Sequence, residues 1–344
     1  MSRREFIYLS QKDVIACGVL DMASCMKDLE KVFLLHHRKE DILPAKVALR
    51  WGDAHSEETR GRINAMPGYV GGDLNTAGIK WIGSAPTNPM KYGLPRASAL
   101  IILNDPEKMF PLAVMDGTLV SAMRTGGVTG VAARYLARKD SKTAGIIGAG
   151  TQNRTQLMAL KEALPGLSSV RVYDLSVERS RAFAGEMEKS LGIPVEPAKD
   201  GRRAVEGADV VVSATTAREP VVMADWLAPG SFYSHVGGYE AEFAVVERAD
   251  RVVVDDWYQI KHRLTQTLAI MFDRGLIGDD RIDAELGAVV AGDKPGRRNQ
   301  EERIYFNSVG MAVEDIAVAK RVYDTAVRKG IGVPLELWDK PLWV

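Results

Sequence analysis

Residues 143–174 read TAGIIGAGTQNRTQLMALKEALPGLSSVRVYD: an apolar strand, a glycine-rich turn, an amphipathic helix and a second strand ending on an acid. Gly148 and Gly150 form G-x-G directly after the first strand, and Asp174 follows about 24 residues later, the spacing of a dinucleotide-binding Rossmann unit. Gly148 lets the chain turn tightly off the strand. Gly150 lets backbone approach a pyrophosphate with no Cβ in the way, and the N–H groups of Thr151 and Gln152 open a helix whose positive end receives the phosphate charge. The third position of the pattern is Asn153 instead of a small residue, which weakens the expected close packing of helix on strand. Asp174 is placed to accept both ribose hydroxyls and to repel a 2′-phosphate, so NAD is favoured over NADP, with Arg179 and Arg181 nearby opposing that preference.

Outside this stretch the composition is that of a globular enzyme. The 344 residues are 46% hydrophobic and 26% charged, enough for two domains with their own cores. Formal net charge is zero, with 45 basic and 45 acidic side chains, so no global field would hold nucleic acid or an anionic membrane. Cys17 and Cys25 lack C-x-x-C spacing and suggest a reducing compartment. With no apolar run of membrane-spanning length, the expected location is the cytoplasm. His36 and His37 are adjacent at the end of a predicted helix and do not face one site, so no metal site is expected.

The pattern predicts an α/β protein: a doubly wound parallel Rossmann sheet preceded by an α+β domain. A strand at 6–9 and one helix over 13–38 open the chain, followed by strands at 46–51, 62–66, 78–83, 97–104 and 112–115. Residues 116–136 carry small residues at helical spacing and join the domains, with Gly126, Gly127 and Gly130 reserved for close packing or ligand approach. Strands at 193–196, 210–214, 231–236, 251–254 and 305–308 continue the second sheet. The expected division is 1–125, completed by the C-terminal segment 320–344, and 126–319 as the NAD-binding domain. Thr215 at a strand's carboxyl end and Gly310 before the last long helix complete the expected cofactor set.

Three cations lie in apolar or turn-rich surroundings: Arg50 (VALRW), Lys80 (GIKWIG) and Arg124 (SAMRTGG). Buried cations need partners, and a substrate carboxylate suits the planar arginine fork. Trp51 and Trp81, next to two of them, are expected to exclude water. For proton transfer the candidates are Lys80, if burial lowers its pKa, and Glu240 on the loop after a sheet strand or His235 at that strand's end.

IKWIG, RASALIILNDPE, PLAVMDGTLVSAMRT, IGAGTQ and FNSVGMAVEDIAVA, spread from about residue 44 to 319, resemble the ornithine cyclodeaminase/mu-crystallin family of NAD(P)-dependent enzymes. The resemblance implies a homodimer whose N-terminal domain binds the amino-acid substrate and makes most of the subunit interface. It also implies that Arg50, Lys80 and Arg124 hold the substrate's α-carboxylate, with Lys80 as proton carrier. Where cyclodeaminases carry two acids, this chain has Asn64 in INAMP and Tyr239 in HVGGYE, which argues against ornithine cyclisation. KWIGS with Asn88-Pro89, VVDDW and AELGAVVAGDKPGR make the chain most similar to the branch that oxidises N-(2-amino-2-carboxyethyl)-L-glutamate to 2,3-diaminopropionate and 2-oxoglutarate. An imine reductase or amino-acid dehydrogenase, and a non-catalytic mu-crystallin-like binder, stay open as alternatives.

Overall fold

The computed structural model describes residues 5–52 and 61–343. They divide into two compact units, one holding the described residues up to Arg124 and from Met311 onward, the other Thr125–Gly310.

The first unit begins with β1 (Glu5–Leu9), α1 (Gln11–Ala16) and α2 (Met22–His37). The expected single helix over 13–38 is two, because Gly18 adopts φ +81° and Asp21 caps α2 by accepting the Ser24 N–H at 3.1 Å. Strands β2 (Asp41–Ile42), β3 (Val47–Trp51), β4 (Gly61–Val70) and β5 (Thr76–Ser84) follow, then α3 (Asn88–Lys91), β6 (Ala97–Asn104), β7 (Pro111–Asp116) and α4 (Thr118–Leu136). The division between the units falls inside α4.

In the second unit the order is β8 (Thr143–Ile147), α5 (Thr151–Ala163), β9 (Ser169–Tyr173), α6 (Val177–Leu191), β10 (Val195–Pro197), α7 (Gly201–Val205) and β11 (Val210–Ser213). It continues with β12 (Phe232–His235), α8 (Phe243–Glu247), β13 (Arg251–Val254), α9 (Trp257–Lys261), α10 (Thr267–Asp273), β14 (Ala284–Glu285), α11 (Leu286–Ala291) and β15 (Ile304–Asn307). The chain returns to the first unit with α12 (Ala312–Lys329) and β16 (Val333–Glu336). That return comes at Met311, earlier than the expected 320: all of α12 belongs with the first sheet, because its apolar face, including Val313, Ile316 and Ala319, is buried there.

The first sheet runs β16-β1-β7-β6-β5-β4-β2, with β3 also on β4; it is antiparallel except for the β1/β7 pair. Since side chains alternate across a strand, the register sorts its residues. Met66, Lys80, Ile101 and Met115 line up across four strands on the inner face, each at most 4% exposed, where α12 packs.

The second sheet is parallel throughout, in the order β10-β9-β8-β11-β12-β15-β13-β14. It is the doubly wound sheet expected from residues 143–174. Its strands read as continuous apolar runs such as VVVS and RVVV because helices cover both faces. The direction of winding reverses between β8 and β11, so the crevice in which such sheets bind ligands lies at the carboxyl ends of those two strands.

Candidate active and cofactor sites

At the end of β8 the turn has the geometry the glycines predict. Gly148 takes φ +96°, and a Cβ there would meet Thr215 Cγ2 at 3.0 Å, so the loop after β11 lies directly against the glycine turn. Gly150 has open space where its Cβ would stand, and as N-cap of α5 it leaves the first-turn N–H groups without a side-chain acceptor. Gln152 Oε1 is buried with no hydrogen-bond partner. Orphan N–H donors and a concave backbone fit a dinucleotide pyrophosphate. Asp174 sits at the tip of β9, accepting the Ala149 N–H at 2.9 Å and the Ser176 N–H at 3.0 Å, which fixes its carboxylate beside the turn with lone pairs to spare for ribose hydroxyls. Gly310 lies beyond β15, and its N–H and that of Val309 both reach Asp255 Oδ2 at 2.7 Å.

Asn153, the departure from the fingerprint, holds helix to strand by a different means. Its buried Nδ2 donates to the carbonyls of Ile147 at 2.8 Å and Gly148 at 2.5 Å, tying α5 to the strand end by hydrogen bonds in place of close packing. Close helix approach occurs instead at Gly126, where a Cβ would stand 2.4 Å from the Thr155 backbone.

Glu240 and His235 are both fully buried in the second unit. Glu240 Oε2 accepts from Ser213 Oγ at 2.9 Å and Gly237 N–H at 2.7 Å, while Oε1 accepts from Thr215 N–H at 2.5 Å. His235 Nε2 lies 2.6 Å from the Gly238 carbonyl and Nδ1 2.5 Å from Tyr305 Oη, and burial pushes its pKa down to about 4. The ring is therefore neutral, donating from Nε2 and accepting at Nδ1, with neither nitrogen left for a substrate. Although burial raises Glu240's pKa, these backbone and hydroxyl donors occupy both its oxygens. Geometry makes the pair a brace between the strand-end loops of β11 and β12 and leaves the proton-transfer role expected of them without an accessible atom.

In the first unit, Lys80 and Arg124 are brought together by two acids the sequence reading missed. Lys80 Nζ is 2.6 Å from Asp315 Oδ2 and 3.1 Å from Ser121 Oγ. The Arg124 fork bridges both acids, Nε to Asp315 Oδ1 at 3.1 Å and Nη1 to Glu314 Oε2 at 2.7 Å. β5 supplies the lysine, α4 supplies Ser121 and Arg124 three residues apart on one face, and the first turn of α12 supplies both acids, where the helix dipole favours them. Burial, reinforced by the charge of Arg124 and opposed by Asp315, lowers the Lys80 pKa to about 8. Burial also raises the Glu314 pKa, against the pull of Arg124, and its Oε1 has no hydrogen-bond partner. The signal was present in MAVEDIAVA, where two acids interrupt a wholly apolar helix start.

Arg50 does not join this cluster. It lies directly opposite Arg62 on the same inner face, four positions along β4 from Met66, the residue paired with Lys80, so about 13 Å of strand separates the two cation sites. Trp51 and Trp81, expected to shield the cations, point to the opposite face of the sheet and are 47% and 44% exposed, because neighbouring strand residues alternate sides. Among the described residues His36 Nδ1 pairs with Asp41 Oδ2 at 2.8 Å, no cluster of three metal-ligating side chains forms, and no helix is long and apolar enough to cross a membrane.

A family model described as the ornithine cyclodeaminase/mu-crystallin family matches residues 15–330. The chain belongs to this family. Within the family, it is 36% identical over 336 residues to N-((2S)-2-amino-2-carboxyethyl)-L-glutamate dehydrogenase of Staphylococcus aureus, covering 97% of this chain and 99% of that one. Among solved structures, the Delta(1)-pyrroline-2-carboxylate reductase of Thermococcus litoralis, in complex with NADH and L-proline, superposes with TM-score 0.87 at 38% identity, covering 95% of this chain and 99% of that one. An archaeal alanine dehydrogenase dimer with bound NAD superposes with TM-score 0.88 at 36% identity, covering 97% and 100%. These family members share the full length of the fold, so the likeness extends to both units.

Proposed function

We propose that this chain is an NAD-dependent dehydrogenase that oxidises the secondary amine of N-(2-amino-2-carboxyethyl)-L-glutamate and releases 2,3-diaminopropionate and 2-oxoglutarate. The coarse class, an NAD-dependent oxidoreductase acting on an amino or imino acid, agrees with the three relatives named above. NAD supplies the hydride acceptor. The finer reading is supported by the Staphylococcus aureus relative's printed name and near-complete coverage, and by the departures at Asn64 and Tyr239 that the family resemblance implies.

The observation that carries the catalytic reading is the buried cluster of Lys80, Arg124, Glu314 and Asp315. With all four ionised it is neutral, and the burial that raises the Glu314 pKa weakens that acid's hold on the Arg124 guanidinium, the cation that a substrate carboxylate would match whatever the charge on Lys80. In this reading Arg124 and Lys80 fix the glutamyl α-carboxylate, with Arg50 on the same face. Lys80, with its pKa near 8, takes the proton from the secondary amine as hydride leaves the α-carbon. The resulting imine adds water, and its C–N bond breaks to release the amine and the 2-oxo acid. Thus one amine, one NAD⁺ and one water become two products, one NADH and one proton.

A homodimer is part of the proposal. On the outer face of the first sheet Val47, Leu49, Trp51, Trp81 and Leu100 are each 44% to 62% exposed, a patch of the kind that a second copy covers. The alanine dehydrogenase relative is itself a dimer.

The test is a panel read at the NADH absorbance band, with N-(2-amino-2-carboxyethyl)-L-glutamate, alanine, proline and ornithine each offered with NAD. NADH formation confined to the first compound supports the proposal. The second reading, an imine reductase or an amino-acid dehydrogenase, has the comparable identities of the reductase and alanine dehydrogenase relatives in its favour; it predicts NADH consumption with a cyclic imino acid, or with pyruvate and ammonia, at rates far above any forward rate.

A further inference from the structure

The Glu240 carboxylate is sealed in the second unit, yet its donors are two backbone N–H groups, of Thr215 and Gly237, and the Ser213 hydroxyl, none of them a cation. Among the described residues its only ion-pair partner is His235, with Nε2 3.5 Å from Oε2, and that ring is neutral, its Nε2–H directed to the Gly238 carbonyl. The loop is shaped around the acid. A Cβ on Gly237 would stand 2.4 Å from Glu240 Cδ, so the chain can pass over the carboxylate there only as glycine.

Hydrogen-bond counting places the proton. Ser213 Oγ lies 2.7 Å from Tyr233 Oη and 2.9 Å from Glu240 Oε2, and the buried Tyr233 hydroxyl has no other hydrogen-bond partner among the described residues. Two contacts thus link three oxygens. With Glu240 protonated, three O–H hydrogens would share those two contacts and one would be left without an acceptor in a dry interior. With Glu240 ionised, Tyr233 donates to Ser213, Ser213 donates to Glu240, and every hydrogen is placed. Burial raises the Glu240 pKa, while the donors from Thr215, Ser213 and Gly237 pull it back toward the carboxylate.

This anion sits under one half of the cofactor crevice. Thr215 and Gly237 follow the carboxyl ends of β11 and β12, across the β8/β11 reversal from Asp174 at the tip of β9. A dinucleotide laid over the reversal puts its adenosine on the Asp174 side and its nicotinamide over β11 and β12. The nicotinamide ring is a cation in NAD⁺ and becomes neutral on accepting hydride. We propose that the buried Glu240 carboxylate biases the site toward the oxidised cofactor, so that NAD⁺ loads and NADH leaves in preference. The inference goes beyond the function proposed above and needs only an NAD-dependent chain, whatever its substrate. Pyrophosphate and riboses are common to both cofactor forms, so the ratio of the two affinities isolates the charge of the ring.

The experiment titrates NAD⁺ and NADH separately into the full chain by calorimetry. Wild type should bind NAD⁺ more tightly than NADH. In Glu240→Gln, which removes the charge and keeps the size, the NAD⁺-over-NADH ratio should fall about tenfold, the order expected of a unit charge acting through a protein interior. Glu240→Asp keeps the charge on a shorter side chain, so both affinities should drop as Thr215 loosens while the ratio stays near that of wild type. An equal loss of both cofactors in Glu240→Gln makes Glu240 a brace alone and overturns the inference. So does a Glu240→Asp ratio that falls as far as that of Glu240→Gln. A wild type that binds NADH more tightly overturns it as well, and that result needs no variant to fold. Heat is read here and turnover in the substrate panel, so a ratio that behaves as expected beside an unreactive glutamate derivative sinks the substrate assignment alone.

Discussion

Lys80 Nζ and Asp315 Oδ2 meet at 2.6 Å although 235 residues separate them in the chain. The contact joins a central strand of the first sheet to the helix on which the chain returns to that sheet. It decides the chemistry of the lysine: burial alone would strip the ammonium of its proton more readily, and Asp315 restores part of its basicity, leaving the pKa about 8.

The pH dependence follows from that value. As the proposed base, Lys80 must be neutral to take the amine proton, so kcat/KM for oxidation should rise about tenfold per pH unit below 8 and level off above it. Reduction of the imine, which needs the protonated lysine, should stay level below 8 and fall about tenfold per pH unit above it. Lys80→Arg stays charged throughout and should lose both the activity and the inflection. Profiles of kcat/KM in the two directions check this, and an inflection that persists in Lys80→Arg would assign the proton to another group.

Arg124 bridges Glu314 and Asp315, and the proposal gives it a binding role that is separable from this structural one. Arg124→Ala leaves Glu314 and Asp315 buried without their shared cation and should cost about 3–5 kcal/mol of stability. Arg124→Lys keeps the charge but cannot bridge two acids and still present a fork, so kcat/KM should drop nearly as far while less stability is lost. NAD affinity of the folded fraction should stay as in wild type. Thermal melts, kcat/KM and NAD titrations on the three proteins test this; a collapse of NAD binding in Arg124→Lys would give Arg124 a different task.

NAD should bind at least about tenfold tighter than NADP, a difference of about 1.4 kcal/mol, because a 2′-phosphate would face the Asp174 carboxylate. Asp174→Ala should raise the NAD dissociation constant and narrow the preference. It also frees the Ala149 N–H now bonded at 2.9 Å, so the glycine turn itself should loosen. Calorimetric titration with both dinucleotides measures each effect, and equal affinities in wild type would refute the assignment.

Trp81→Glu or Leu100→Glu puts a charge on the exposed apolar face of the first sheet. Either change should shift the particle from dimer to monomer in sedimentation velocity, with circular dichroism unchanged, since neither side chain packs in the unit's own core. A wild-type chain that sediments as a monomer removes this face from the interface.

The Rossmann unit was readable from residues 143–174 because its determinants are local: a glycine that must take φ +96°, an uncapped helix start and an acid one strand later all follow from neighbours in the chain. Alternation along β3 and β5 already implied that Arg50 and Lys80 turn away from Trp51 and Trp81, yet which face would be covered depended on where α12 packs. The break in the first helix at Gly18, and the hydrogen bonds by which Asn153 replaces a small residue, are local as well but depend on backbone geometry that residue type alone leaves open.

Residue order was therefore enough for the doubly wound sheet, its glycine turn and the candidate cations, each written in contiguous residues whose preferences act over one or two turns of chain. It took the folded chain to show that Lys80 and Arg124 share Asp315, that Arg50 sides with Arg62, and that Glu240 and His235 are sealed among backbone donors and acceptors. The physical reason is that a charge's partner and solvation are set by groups distant in sequence, and those two quantities fix whether a buried ion serves as base, anchor or brace.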